Sequence, residues 1–236
     1  PSTDDCHGQL VESMNRFEVD VACLTPSVTR IISPDSLKSL KVLMFVGEAV
    51  LASDVLRWEP FVHVGNAYGP AECSAVFSVQ PNLKSNDPAN IGFSTGGSGW
   101  VVHPEDHRVL MPLGCTGELL IEGPIVGKGY LSNLEQTARV FVEAPPWRLQ
   151  FGSPPSGKLY KSGDLVQATG DGSFRYLGRK DTQVKLHGQR LELADIEYHL
   201  HRAFPKASQT LADVRRSFPR NSANEHRPEA LLIAFI

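Results

Sequence analysis

The sequence predicts an α/β protein in three consecutive parts. Parallel βαβ units fill residues 1–80, a β-rich subdomain shaped as a distorted barrel fills 81–180, and a small α/β C-terminal domain begins over 181–236. Three observations carry this. Apolar runs alternate with helical segments as far as Val64, the pattern of parallel βαβ units. From Pro81 glycine and proline are frequent and short alternating runs replace the helices. From Asp181 strand and helix patterns return.

Cys6 to Arg16 has weak helical spacing, and Val19 to Leu24 reads as a strand. Thr25-Pro26 starts a helix, because a hydroxyl can cap and proline suits the first position. That helix ends before Pro34. Lys41 to Val46 is the second strand, closed by Gly47-Glu48-Ala49, and Ser53-Asp54 is expected to cap a short helix through Trp58. Phe61 to Gly65 reads as a buried third strand, broken at once by asparagine, glycine and proline in Asn66 to Glu72. Ligands bind beyond the carboxyl ends of parallel strands. Leu24-Thr25, Gly47 to Ala49 and Asn66 to Glu72 are therefore expected together at one edge of the sheet.

Further strands are expected at Gly99–His103, Gly117–Glu122, Leu159–Tyr160, Leu165–Ala168 and Phe174–Leu177, with one helix at Asn133–Val140 and a hairpin turn at Thr169–Ser173. Beyond Asp181, Gln183 to His187 reads as a strand and Gly188-Gln189-Arg190 as a turn. Glu192 to Ala203 reads as an amphipathic helix with Ile196, Leu200 and Ala203 on one side. Leu211–Val214 and Leu231–Ile236 read as strands joined by a polar loop, Ser217 to Glu229.

The 236 residues are 41% hydrophobic and 21% charged, as in folded soluble proteins, and are enough for one large domain or two small ones. Net charge is -3 with no block of like charge, which argues against nucleic-acid and membrane partners. The most apolar stretch, Val42 to Ala52, is interrupted by Gly47 and Glu48, too soon for a membrane span. No basic-then-apolar signal peptide opens the chain. Cys6, Cys23, Cys73 and Cys115 lack CxxC spacing and read as free packing thiols in a reducing, cytoplasmic setting. Both ends look cut: there is no initiator methionine, and an apolar strand closes the chain, so a piece of a longer polypeptide is expected.

Several patterns mislead. Gly152 to Lys158 fits the first seven positions of a phosphate-binding P-loop, but Leu159 replaces the metal-binding hydroxyl and two prolines remove amide donors. Gly92-Phe93-Ser94-Thr95-Gly96 fits a hydrolase nucleophile elbow, yet Gly97-Ser98-Gly99 follows where a helix is needed. His103 and His107 have metal-ligand spacing, but Pro104 disfavours the helix; His199 and His201 point to different sides of theirs.

Four stretches match one family in order. Asn66-Ala67-Tyr68-Gly69-Pro70-Ala71-Glu72 resembles N-x-Y-G-P-T-E, with Ala71 for threonine. Gly117 to Gly123 with Gly127 to Leu131 resembles G-E-L-x-I-x-G…A-R-G-Y. Tyr160 to Leu165 resembles Y-R-T-G-D-L, and Gly178 to Glu192 resembles G-R-x-D-x-Q-V-K-x-R-G-x-R-I-E, with His187 at an arginine position. The chain thus resembles the adenylation domains of nonribosomal peptide synthetases, in the adenylate-forming superfamily, and its expected architecture is a fragment of that fold.

The resemblance implies an ATP- and Mg²⁺-dependent ligase. It would join an amino acid to AMP, release pyrophosphate and load the aminoacyl group on a carrier-bound phosphopantetheine thiol. The implied partners are the amino acid and the peptidyl carrier and condensation domains of the same megasynthase. It implies that Tyr68 stacks on adenine, that Glu72 is catalytic through Mg²⁺, that Asp164 accepts both ribose hydroxyls and that Arg179 contacts the nucleotide. Gly47, Glu48 and Ala49 would border the adenine, with Asn66, Gly69 and Tyr176 also on the nucleotide. Asp181 would be a hinge, and Lys185 just beyond it would reach the site in one of two states. Cys23, Met44, Val46, Ala67, Ala75 and Val76 would line an amino-acid pocket suited to an apolar side chain of moderate size, or else be core residues of the sheet. The phosphate loop and the acidic residue for the substrate ammonium are expected upstream of Pro1, and the catalytic lysine downstream of Ile236, so the isolated piece is expected to be inactive. Two alternatives stay open: an acyl-CoA-ligase type of acid activation, and a non-catalytic truncated copy.

Overall fold

The computed structural model describes residues 3–152, 157–181, 183–186, 189–205, 207, 209–217 and 229–236. The central part of the P-loop-like stretch, the positions of His187 and Gly188, and most of the loop expected between Ser217 and Glu229 lie outside the described residues.

The first part alternates α1 (Thr3–Arg16), β1 (Val21–Leu24), α2 (Pro26–Ile31), β2 (Val42–Val46), α3 (Ala52–Trp58) and β3 (His63–Tyr68). Strands β1, β2 and β3 are parallel neighbours, with Cys23 beside Met44 and Val46 beside Ala67. One face of this sheet buries Ala22, Leu43, Phe45 and Val64 against Met14 of α1 and Val55 and Trp58 of α3. Thr25 caps α2 by accepting the Val28 N–H, and Pro26 follows it. At α3 the expected cap is corrected. Leu51 holds the N-cap position, and Asp54 reaches back from the first turn to accept the Leu51 N–H at 2.9 Å.

The third strand also differs from expectation. It starts at His63, leaves Phe61 outside and exposed, and runs through Asn66 and Ala67 to Tyr68. Asn66, Ala67 and Tyr68 continue as a strand because they pair with β4 (Ser78–Gln80). Strand β4 then pairs with β5 (Asn90–Ser94). Next come β6 (Ser98–Val102), β7 (Thr116–Glu122), α4 (Leu134–Val140), β8 (Phe141–Val142), β9 (Leu159–Ala168) and β10 (Phe174–Arg179). These make one ten-stranded mixed sheet in the order β1-β2-β3-β4-β5-β10-β9-β7-β6, with β8 beside β9. The strands of the β-rich stretch therefore extend an open path among the described residues, where a barrel was expected. The two runs expected at Leu159 and Leu165 are one strand: Gly163 and Asp164 form a bulge inside it. The Thr169–Ser173 turn forms as expected, with Asp171 accepting the Ser173 N–H and Gly172 at φ +89.

Asn133 caps α4 through the Gln136 N–H. Beyond Asp181, β11 (Gln183–Leu186) and β12 (Gln189–Glu192) form a hairpin, so Gln189 and Arg190 belong to a strand and not to a turn. Helix α5 (Leu193–Ala203) follows, half-burying Ile196 and Leu200 but leaving Ala203 exposed. Strands β13 (Leu211–Ser217) and β14 (Glu229–Phe235) pair antiparallel. Neither hairpin joins the ten-stranded sheet. Cys23, Cys73 and Cys115 are free thiols; Cys73 is buried, whereas Cys23 is exposed and does not pack as expected. Among the described residues, no helix is long and apolar enough to cross a membrane, and no group of three or more metal-ligating side chains gathers.

Candidate functional site

The turns after β2 and β3 lie side by side because their strands are parallel neighbours, and a cleft of about 330 Å³ opens against them. Gly47, Glu48, Ala49, Asn66, Tyr68 and Gly69 line it together with Tyr176 from β10, whereas Asp164 and Arg179, expected on the same nucleotide, do not line it. Ala67, expected in the amino-acid pocket, lines it too. Sequence reasoning missed Val50, next to Ala49, and Pro88, Ala89, Ile91, Leu177 and Gly178 on the wall at β5 and β10. That wall exists because β5 pairs with β10, and the Tyr176 N–H donates to Ala89 O at 2.9 Å. No local signal marks such a pairing; only the nearby Gly178-Arg179 motif hinted at it.

Each loop is fixed by its own residues. Gly47 has φ +78, a backbone state that favours glycine. Glu48 turns its carboxylate away to Ser27, accepting that residue's N–H at 3.1 Å and its hydroxyl. Its main chain is left to border the cleft. Gly69 is required by space: a Cβ there would sit 2.5 Å from the Phe77 nitrogen.

From the cleft lining the Tyr68 hydroxyl donates to Asp164, outside that lining, and Arg179 Nη1 donates to the same carboxylate at 3.1 Å. Asp164 and Arg179 are register partners on β9 and β10. Burial, reinforced by Asp164, pushes the Tyr68 phenol well above its ordinary value, so it stays a neutral donor. Tyr176 lies 6.1 Å from Tyr68 between ring centroids and is pushed up to about 12, chiefly by burial. Arg179 also donates to Ser162 O at 2.6 Å and forks onto Asp181 at 2.9 and 2.6 Å. Burial opposes its charge, but the Asp181 and Asp164 carboxylates outweigh that and raise its pKa further.

Glu72 sits in a short 3-10 turn, Ala71–Cys73. Its Oε1 accepts the Tyr130 hydroxyl at 2.6 Å, and its carbonyl accepts the Gly127 N–H at 2.8 Å. The second motif is thereby brought onto the first. Asp181 is exposed and also accepts the Gln183 N–H. Lys185 lies on β11 opposite Arg190 in register.

The six amino-acid-pocket residues are placed in two groups. Cys23, Met44, Val46 and Ala67 share the sheet face opposite the helices, by register. Ala75 and Val76 lie on the loop beside Gly69, with Ala75 at φ +67. Cys23, Ala75 and Val76 are exposed, so the alternative that these are core residues fails for them. The misleading motifs resolve as expected: Ser94 is followed by strand β6 rather than a helix, and His199 and His201 are exposed.

Residues 1–131 match the AMP-binding enzyme family. The chain is 47% identical over 209 residues to nonribosomal peptide synthetase rstn8 of Penicillium ochrochloron, covering 88% of this chain and 10% of that protein. It is 45% identical to peramine synthetase A of Epichloe festucae, covering 91% of this chain and 8% of that one. The chain thus spans a tenth or less of the length of these relatives. Among solved structures it resembles PA1221, a protein containing adenylation and PCP domains, with TM-score 0.75 at 26% identity over 89% of this chain and 37% of that one. It also resembles the Vibrio cholerae adenylation domain AlmE in complex with glycyl-adenosine-5'-phosphate, with TM-score 0.68 at 26% identity over 96% of this chain and 42% of that one.

Proposed function

The chain belongs to the family of AMP-binding enzymes, and from that premise we propose that it forms part of an adenylation domain. In the full-length polypeptide this domain activates an amino acid with ATP, releasing pyrophosphate, and loads it on a carrier-bound phosphopantetheine thiol. One observation carries the reading. Three motifs far apart in sequence meet in a single hydrogen-bonded chain, Tyr68–Asp164–Arg179, whose first member lines the cleft. The fungal relatives are peptide synthetases, and the AlmE structure holds an aminoacyl adenylate, which supports the same chemistry here.

In this reading Tyr68 gives one face to the adenine, while Gly47, Glu48 and Ala49 border it with their main chain and Asn66, Gly69 and Tyr176 complete the enclosure. Asp164 accepts the two ribose hydroxyls. A carboxylate has about four lone-pair positions, so the bonds from Tyr68 and Arg179 leave it room. Arg179 supplies a permanent cation beside the nucleotide. Glu72 is a hard oxygen donor held in place by Tyr130. That suits Mg²⁺, which one or two carboxylates plus substrate phosphates hold. When bound, the ion neutralises charge at the phosphates.

Cys23, Met44, Val46, Ala67, Ala75 and Val76 receive an apolar amino-acid side chain of moderate size. Residues 1–80 and 81–180 carry the nucleotide cleft, and 181–236 open the mobile domain. Asp181 is its hinge, and Lys185 approaches the site in one of the two states. Carrier and condensation domains are the partners in this scheme. The test is amino-acid-dependent exchange of labelled pyrophosphate into ATP by the full-length polypeptide, run against a panel of amino acids. Exchange with one or a few is the expected result. No exchange with any, from folded protein, overturns the reading. Repeating the assay with carboxylic acids and coenzyme A then separates an acid–CoA ligase from an inactive copy.

A further inference from the structure

We propose that Glu118 is a positioning residue for the nucleotide site: through Gly163 and Lys180 it sets the backbone that presents Asp164. The proposal rests on the reading above that Asp164 receives the ribose hydroxyls.

Glu118 is buried at 1% exposure, a costly place for a carboxylate unless each oxygen is engaged. Both are. Oε1 accepts the Gly163 N–H at 3.0 Å, and Oε2 pairs with Lys180 Nζ at 2.8 Å. Lys180 Nζ also donates to Pro104 O, and the Lys180 N–H returns to Gly163 O at 3.0 Å. Gly163 is thus held at its N–H by the Glu118 carboxylate, which Lys180 Nζ neutralises, and at its carbonyl by the Lys180 main chain.

Gly163 lies inside the β9 bulge. Between the register pairs Glu118–Leu165 and Leu120–Lys161, Leu119 alone faces Ser162, Gly163 and Asp164. Such bulges re-aim side chains beside functional sites. Here the bulge depends on glycine: Gly163 has φ +71, and a Cβ there would meet Arg179 Nη2 at 2.5 Å. Ser162 contributes by donating to Leu119 O and accepting the Asp164 N–H. Asp164 is the next residue after Gly163, Arg179 is packed across Gly163, and Lys180 immediately precedes Asp181. Neither Glu118 nor Lys180 lines the cleft, and the route from Glu118 to a ligand is its bond to the Gly163 N–H, one residue before Asp164.

The test compares ATP with 2′,3′-dideoxy-ATP by calorimetric binding to the full-length polypeptide, as wild type, Glu118→Gln and Lys180→Met. The amide of Glu118→Gln can still accept the Gly163 N–H but loses the ion pair. The preference for ATP over the dideoxy nucleotide should fall roughly tenfold, the scale of one charge-assisted hydrogen bond. Affinity for the dideoxy nucleotide should not change. Lys180→Met alters a side chain that reaches solvent, so it decides the matter if Glu118→Gln fails to fold; the same loss of preference is expected. Unchanged preference in the folded variants, or equal weakening of both nucleotides, overturns the positioning role and leaves the nucleotide reading standing. A wild type that does not distinguish the two nucleotides overturns the nucleotide reading, and this inference with it.

Discussion

Glu122–Arg148 and Asp164–Arg179 are both carboxylate–arginine pairs with their carboxylates on the adjacent strands β7 and β9, yet they are built differently: Arg148 comes from the 3-10 turn Pro146–Gln150 and Arg179 from β10. In the first, Arg148 forks onto Glu122 at 2.6 and 2.7 Å, Trp100 Nε1 adds a third bond at 2.9 Å, and the remaining guanidinium nitrogen donates to Phe151 O. The guanidinium also lies over the Trp100 ring at 5.3 Å. In the second, Arg179 gives Asp164 one bond at 3.1 Å and spends its other donors on Ser162 and Asp181. Burial does not separate them: the carboxylate side chains are equally exposed, 10% each. Saturation does. The Glu122 pair closes on itself within an aromatic shell of Trp100, Trp147 and Phe151. The Asp164 pair shares its charges with Asp181, Ser162 and the cleft-lining Tyr68, so it keeps capacity for a ligand.

This contrast can be broken in a definite order of size. Arg148→Met leaves a buried carboxylate without its main partner and should cost about 3–5 kcal/mol of stability. A urea denaturation midpoint would read it, with nucleotide affinity unchanged in the folded protein. Tyr68→Phe keeps the ring but removes one donor to a charged acceptor, about 1.5–3 kcal/mol. The melting temperature should fall accordingly, and ATP affinity of the folded protein should fall with it; a change in melting temperature alone would place Tyr68 with the structural pair. Trp100→Phe should cost about 1.5 kcal/mol, the low end for one hydrogen bond to a charged group, because Arg148 still holds Glu122.

The smallest effect is in pH. Arg148 first, and Trp100 after it, hold the Glu122 carboxyl below its ordinary value against the opposing effect of burial. A depressed carboxylate contributes its stability above the unfolded value, about 4.3, and loses it as pH falls through the folded one. Glu122→Gln should therefore flatten the acid limb of the stability curve below that range. An unaltered acid limb would mean that another group controls it.

The near wall of the cleft was legible because its residues are contiguous: Gly47 to Ala49 is a short loop and Asn66 to Gly69 a strand end, each with a glycine whose chemistry is local. The far wall was not, since Ala89 and Ile91 meet Tyr176 only through the pairing of β5 with β10. Local break signals at Asn66 and Gly163 misled for the same reason. Pairing with β4 carries the chain on as strand through Tyr68, and neighbours on both sides keep Gly163 within β9 as a bulge. Glu118 was visible as a motif position without a task; its contacts with Gly163 and Lys180 supply one. The Leu51 cap escaped because leucine carries no capping group, and Asp54 acts from the turn behind it.

The most direct measurement pairs ATP–pyrophosphate exchange with thermal melting for Asp164→Ala in the full-length polypeptide. Two lost charge-assisted bonds to the ribose, about 1.5–3 kcal/mol each, predict exchange reduced by roughly 100-fold or more with little change in melting temperature. Exchange retained near the wild-type rate would contradict the account, and so would a loss explained entirely by unfolding.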